Sequence, residues 1–309
     1  MIAAYAPATV SNVGCGFDVL GFALDAPGDV VMAEASDVRG VEIAAIEGDG
    51  GHLSRDPVLN TAGVAVQTLL ERLGAARGIR LRIHKGLPLA SGVGSSGASA
   101  VAAVVAVNEL LGRPAPLELL LEFAMAGETA GCGSAHADNV APALYGGFIL
   151  ARTASPPDIV RLPIPEGLSC AVLHPHLEVT TGASRDLLGK SVLLRDAVRQ
   201  WGNVGALVAG LFLNDLPLVG RALEDHVVEP QRAHTVPAFS TVKQAAHSAG
   251  ALGCSLSGSG PSIFALCASL DKAALVGKAM HDAFSLASGI GADLWISPVG
   301  SRGARIVAG

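Results

Sequence analysis

The sequence predicts an α+β protein of two domains, and three observations carry that reading. The chain has 309 residues, enough for two cores of ordinary size. Short apolar runs of period two alternate along it with longer runs of helical period. Between the halves, residues 152–167 bring Pro156, Pro157, Pro163 and Pro165 together with a fall in hydrophobicity. That places a boundary there, with domains at 1–155 and 156–309.

Residues 2–10 read as a strand entering a glycine turn that presents Asn12 and Asp18. Val30–Ala35 and Val41–Ile46 are the next strands. Val64, Val66, Leu69, Leu70 and Leu73 share one helical face, with Asn60 as cap and Gly74 as stop. Ile79, Leu81 and Ile83 alternate with Arg80, Arg82 and His84 and end at Lys85, which reads as a phosphate contact or a solvated strand end. In the loop that follows, Gly92, Gly94 and Gly97 permit positive φ, and Ser95 or Ser96 caps an alanine-rich helix over 97–111. Such a loop holds an anion on backbone N–H groups and a helix N-terminus.

Pro116 opens a second helix, apolar at Leu117, Leu120, Leu121, Phe123 and Ala124, with Glu128 near its end. A turn at 131–134, a helix around His136 to Tyr145 and a strand follow. Past the boundary the reading is strand at 171–173 and 177–179, helix over most of 192–225 and helix at Ser240–Ala249. Two strands, at 254–256 and 262–266, flank Ser257-Gly-Ser-Gly-Pro261; a helix at 271–286 and a strand at 293–296 complete the set.

A formal charge of −6, with 21 basic residues spread along the chain, offers no footprint for nucleic acid. Cys15, Cys132, Cys170, Cys254 and Cys267 are odd in number and lack C-x-x-C spacing, so buried thiols in a reducing compartment are expected. The first charged residue is Asp18, which leaves no basic signal region, and no apolar run approaches the ~20 residues of a membrane span. A cytoplasmic protein without membrane or nucleic-acid partners is the expectation.

Gly92-Val-Gly-Ser-Ser-Gly97 spells G-x-G-x-x-G, yet seven residues separate the strand from its first glycine and Glu118 falls within a Leu-rich helix. Both disfavour a dinucleotide fold. The lone Gly-Lys-Ser at 189–191 has Ser184 where a P-loop needs glycine, and H-R-D, D-F-G and G-x-S-x-G are absent. By itself, Gly92–Gly97 is equally a tight strand-to-helix connection. Its company changes that: segments 11–18, 91–97 and 257–262 are all glycine turns attached to strands.

Pro7 to Asp18, Gly86 to Ser96 and Gly253 to Ser262 resemble, in order, the three motifs of the GHMP small-molecule kinases. His136 to Phe148 and Glu229-Pro-Gln-Arg232 resemble the members that act on homoserine. The resemblance implies an N-terminal domain like ribosomal protein S5 domain 2, a ferredoxin-like C-terminal domain and an active site in the cleft between them. It further implies ATP and Mg²⁺ as cofactors, L-homoserine as substrate, a step in threonine biosynthesis, and a homodimer. A mevalonate or cytidylyl-isoprenoid alcohol kinase and a non-catalytic nucleotide sensor are the rivals.

By the same resemblance, Pro88, Leu89, Ala90, Ser91, Gly92, Val93, Gly94, Ser95, Ser96, Gly97 and Ala98 would cradle the nucleotide, and Ser96 with Glu128 would hold the metal. Asn12, Asp18, His136, Asp138, Thr181, Arg185, Arg232 and Gly260 would bind the substrate, the two arginines on its carboxylate. Asn12, Ser96, Glu128 and Asn139 form the catalytic set. Several relatives place an aspartate base where this chain has Asn139, and an amide cannot accept a proton, so Asn139 is expected to orient rather than abstract.

Overall fold

A computed structural model describes residues 1–134 and 136–308, without the side chain of Cys132. The first half is built on a mixed sheet whose order among the described residues is β11-β1-β2-β4-β3, with β5 and β6 joined through β2. Its strands are β1 (Ile2–Ser11), β2 (Leu20–Ser36), β3 (Gly40–Glu47), β4 (Gly78–His84), β5 (Phe148–Ala154), β6 (Pro157–Leu162) and β11 (Arg305–Val307). β2 runs well beyond the expected Val30–Ala35 and pairs β5 at one end and β4 at the other. Helix α1 (Thr61–Arg72) makes the crossover between the parallel pair β3 and β4, and the Asn60 side chain accepts from Ala62 N–H as its cap.

Helices α2 (Ser95–Leu110), α3 (Leu117–Cys132) and α4 (Ala137–Tyr145) complete this half. The alanines and valines of α2 are almost all buried, because small side chains let it lie against β1 and β2 on one side and α1 and α3 on the other.

The second half is a four-stranded antiparallel sheet in the order β10-β7-β9-β8, from β7 (Ser169–Pro175), β8 (Gly253–Leu256), β9 (Ile263–Cys267) and β10 (Ala292–Pro298). Between β7 and β8 lie α5 (Thr181–Asp186), α6 (Leu194–Leu213), α7 (Leu216–Ala222), α8 (Glu229–Arg232) and α9 (Phe239–Ser248); α10 (Leu270–Ser288) joins β9 to β10. Numbered within this half the strands stand 4-1-3-2 with α9 and α10 as crossovers, which is the ferredoxin-like arrangement. Phe239, Val242, Val276, Met280 and Phe284 fill the space between those helices and the sheet. The opposite face joins the first core, where Phe22 meets Phe264 edge-on at 6.2 Å.

Four expectations change. The boundary expected at 155/156 falls in the turn of the β5–β6 hairpin, so the first sheet continues to Leu162 and the change of sheet lies between β6 and β7. The prolines there mark a turn rather than a linker. The last residues, expected in the second domain, return as β11 along β1. Residues 177–179 form no strand; Val179 N–H bonds to Ala90 O, against the glycine loop. Finally, α2 is capped by Gly94 with φ +72 and no side-chain bond, and Ser95 and Ser96 are its first helical residues. The four cysteines whose side chains are described are free and buried, and Cys132 lies outside that set.

Candidate active site

Three glycine segments from distant parts of the chain are tied together by hydrogen bonds. Thr9 N–H donates to Val93 O (3.1 Å), Gly258 N–H to Ser11 O (3.2 Å), Ser262 N–H to Ser91 O (3.3 Å) and the Ser257 hydroxyl to Gly92 O (2.7 Å). A Cβ on Gly92 would stand 2.5 Å from Ser257 O, and one on Gly94 2.3 Å from Thr9 Oγ1. With φ of +77° and +72°, both positions demand glycine for loop-on-loop packing as well as for dihedral freedom.

These segments wall a cleft of about 600 Å³ between the two sheets. Of the expected nucleotide loop, Leu89, Ala90, Ser91, Gly92, Gly94, Ser95 and Ser96 line it. Pro88, Val93, Gly97 and Ala98 do not, and Val93 and Ala98 are wholly buried behind the wall. The first turn of α2 carries the positive end of the helix.

Lys85 is not a solvated strand end: it lines the cleft, with its donors already engaged inside the protein. It is 5% exposed, forms an ion pair with Asp29 Oδ2, and donates to Ser95 O and Ser99 Oγ at 2.8 Å each. Its three donors therefore have three internal acceptors. Ser99 Oγ donates to the same carboxylate oxygen (2.6 Å), while Gly86 and Leu87 N–H bond to Oδ1. Asp29 thus fixes the end of β4 to the first turns of α2.

Glu128, on α3, is buried, and its Oε2 has no hydrogen-bond partner among the described residues. A Cβ on Gly97 would lie 3.8 Å from that oxygen, which places it beside the first turn of α2. An orphaned buried carboxylate oxygen is costly unless a cation or donor arrives. With the hydroxyl-bearing Ser96 also on the cleft wall, the donors are hard oxygens of the kind Mg²⁺ takes.

The opposite end is charged. Asn12, at φ +66°, accepts from Asp18 N–H through Oδ1 (3.0 Å), donates Nδ2 to Gly258 O (2.8 Å) and donates its N–H to Asp138 Oδ2 (3.2 Å). Arg185 Nη2 reaches both oxygens of Asp18, at 2.9 and 2.8 Å. Arg232, buried, donates Nε to Ser184 O (3.1 Å), and the two guanidiniums stand 5.4 and 5.2 Å from the centre of the Phe17 ring. Thr181 also lines the cleft, whereas Gly260 packs beneath Gly92 and does not.

His136 caps α4 and Asp138 stands in its first turn. Donor atoms of Asp18, His136 and Asp138 lie within 4.8 Å of one another, and Asp138 Oδ1 has no hydrogen-bond partner among the described residues. Burial, followed by the charge of Asp18, pushes the Asp138 carboxyl up to about 7. Burial also opposes ionisation of Asp18, but His136 and Arg185 outweigh it and hold that carboxyl below the usual range. Burial opposes protonation of His136 too; the surrounding acids raise it nevertheless. Between the two ends, Thr9 Oγ1 donates to Asn139 Oδ1 (3.1 Å), and the Asn139 amide N–H groups have no hydrogen-bond partner among the described residues.

Sequence reasoning missed Thr9, Phe17, Asp29 and Ser184. Phe17 lies inside the Gly-Cys-Gly-Phe-Asp motif and was open to discovery as an aromatic between two polar residues. Asp29 was not, since its partner is 56 positions away.

A deep cleft between an α+β domain and a ferredoxin-like domain, with a backbone anion cradle at one end, defines a small-molecule kinase of the GHMP type. The family described as GHMP kinases N terminal domain matches residues 60–147, and GHMP kinases C terminal matches residues 206–286. Homoserine kinase of Chlorobium phaeovibrioides is 51% identical over 98% of both chains, and that of Chloroherpeton thalassium 50% over 99% of both. The crystal structure of homoserine kinase from Cytophaga hutchinsonii superposes with a TM-score of 0.96 at 52% identity, covering 99% of this chain and 97% of that one. The chain belongs to the homoserine kinase family of GHMP kinases.

Proposed function

We propose that the chain transfers the terminal phosphoryl group of ATP to the side-chain hydroxyl of L-homoserine, giving O-phospho-L-homoserine and ADP, a step of threonine biosynthesis. The observation that carries the reading is the charged end of the cleft. L-Homoserine has an ammonium, a carboxylate and a hydroxyl, and the cleft offers an acid corner with an open oxygen on Asp138 beside two guanidiniums. The ammonium would take Asp138 and Asp18, displacing part of the Arg185–Asp18 pair. Arg185 so released would join Arg232 on the carboxylate, where forked donors fit two oxygens.

ATP would supply the phosphoryl group, and a bound Mg²⁺ would supply charge neutralisation during its transfer. Glu128 and Ser96 would hold the metal, and the first turn of α2 with loop 89–96 would face the phosphates. Asn139, its carbonyl held by Thr9, directs an amide N–H toward the reacting oxygens and accepts no proton. The hydroxyl proton therefore leaves with the transferred group or to water, as a loose transition state allows. Asn12 orders the charged end by bonding Asp18, Asp138 and Gly258 together. A homodimer and a cytoplasmic location belong to the same proposal. Among the described residues no helix is long and apolar enough to cross a membrane.

The test is ADP release with L-homoserine, mevalonate and L-serine compared at equal concentration. Homoserine should exceed the ATPase background by orders of magnitude. A rate with another alcohol and none with homoserine would refute the assignment, and thermal stabilisation by ATP without any ADP would favour the sensor.

A further inference from the structure

We infer that Gln200 and Asp225, both outside the cleft, are positioning residues that set Arg232 opposite the Asn12–Asp18 segment and so fix the spacing at which the charged end meets its substrate. The inference rests on the placement of the substrate carboxylate at Arg232 under the proposed function. Neither side chain lines the cleft, and both are buried, at 9% and 7% exposure. Gln200 lies on the core face of α6 with Leu207, Gly210 and Leu211. A buried amide at such a position costs free energy unless its groups are paired, a cost that an aliphatic side chain would avoid.

The amide is paired on both sides. Gln200 Nε2 donates to Cys15 O (2.8 Å) and to Asp225 Oδ1 (2.9 Å), and Oε1 accepts from His226 N–H (2.9 Å). One side chain thereby joins α6, the first glycine turn and the approach to α8. The Asp225 carboxylate gathers the residues that open α8: Oδ1 accepts from Val227 and Val228 N–H (2.8 and 3.0 Å) and Oδ2 from Glu229 N–H (2.8 Å). The backbones also approach closely here, since a Cβ on Gly14 would stand 2.0 Å from Leu223 O. The Glu229 side chain fastens α8 from another direction, pairing with Lys243 and accepting from the Ser255 hydroxyl.

Arg232, the last residue of α8, closes the circuit. Its guanidinium stands 5.2 Å from the centre of the Phe17 ring, so a path from Cys15 through Gln200, Asp225, Glu229 and Arg232 returns to the segment where it began. The hold matters because Arg232 forms no ion pair among the described residues; it donates to two carbonyls, Ser184 O (3.1 Å) and Gly258 O (3.4 Å). Burial, then the neighbouring charge of Arg185, holds its pKa below the usual arginine value. A buried guanidinium without a counter-ion keeps its place through the backbone that carries it, and Asp225 sets that backbone. Loosening the bracket lets Arg232 drift relative to Asp18, and a misplacement of about 1 Å can cost on the order of 100-fold.

Steady-state assays of ADP release on Gln200→Met, which keeps the bulk and deletes the three bonds, test the inference. KM for L-homoserine should rise about tenfold, with KM for ATP within about twofold and kcat within about threefold. A double-mutant cycle reads whether the effect passes through Arg232. Added to Arg232→Ala, Gln200→Met should raise KM by less than about a further twofold, because residues that act through one another are not additive. Asp225→Asn keeps the oxygen that faces Gln200 and loses the bond to Glu229 N–H. It should give the same split between the two KM values at smaller amplitude, and it decides the matter if Gln200→Met does not fold. Equal rises in both KM values, or full additivity with Arg232→Ala, would make the pair a general support of the fold and overturn the inference. An unchanged KM for homoserine in Gln200→Met beside a raised one in Arg232→Ala overturns it alone; an unchanged KM in both overturns the carboxylate placement as well.

Discussion

The two ends of the cleft present polar groups by opposite means. The anion end, loop 89–96 with the start of α2, presents backbone and hydroxyls, and its buried cation Lys85 is spent on Asp29 and the helix start. The far end presents ionised side chains, Asp18, Asp138, Arg185 and Arg232, held by one another and by Asn12. Polyphosphate arrives with its own metal and needs many weak donors in a concave frame. A zwitterion smaller than the cleft needs two opposite charges at a fixed spacing, which only side chains provide.

If the anion end depends on a frame rather than on charge, breaking the frame should cost most. Lys85→Met strands the Asp29 carboxylate in the core and should lower unfolding free energy by about 3–5 kcal/mol. Urea titration measures this, and wild-type stability in the variant would mean that the pair does not hold the loop.

Arg232→Ala tests the other end by removing charge alone. It should raise KM for homoserine about 100-fold, as truncation of a buried charge partner does, while KM for ATP stays within about twofold. Equal effects on both substrates would erase the distinction between the ends.

Asp138→Asn sharpens the comparison through pH. A carboxyl raised to about 7 on folding leaves the folded chain holding more protons than the unfolded one between the ordinary aspartate range and pH 7. Its contribution to stability is complete below the unfolded pKa and is lost as pH rises through 7. The variant should therefore be more stable than wild type at pH 8, by on the order of 4 kcal/mol, with the gap closing toward pH 4. In the wild type, KM for homoserine should rise below pH 7 as Asp138 takes a proton and ceases to attract the ammonium. A KM flat from pH 6 to 8 would separate Asp138 from the substrate.

The smallest effect belongs to Glu128→Gln. Relieving the orphaned charge should raise the stability of the metal-free protein by about 1 kcal/mol. The Mg²⁺ concentration for half-maximal rate should rise about tenfold. An unchanged metal requirement would remove Glu128 from the metal site.

The glycine segments and the amphipathic helices were legible because each is local, whereas Asn12, Asp18, Glu128, His136, Asp138, Asn139, Arg185 and Arg232 were singled out only through the resemblance of the short motifs that contain them. A turn, a cap or a short motif is written in adjacent letters. The β6 strand, the return of β11 to β1 and the burial of Lys85 were not, because each rests on a partner distant in sequence. The domain boundary slipped for the same reason: prolines at 156 and 157 look alike in a linker and in a hairpin turn, and only pairing of 148–154 with 157–162 separates the two.

By itself, the sequence determined which segments could be strands, helices and glycine turns, since dihedral freedom and periodicity are properties of neighbouring residues; the phosphoryl-transfer reading came from the resemblance of its motifs to the GHMP kinases. Only the tertiary structure decided that Lys85 is committed to Asp29, that Asp138 keeps an open oxygen and that Gln200 joins Asp225 to Cys15. Those facts depend on which residues burial brings together and which it leaves without a partner.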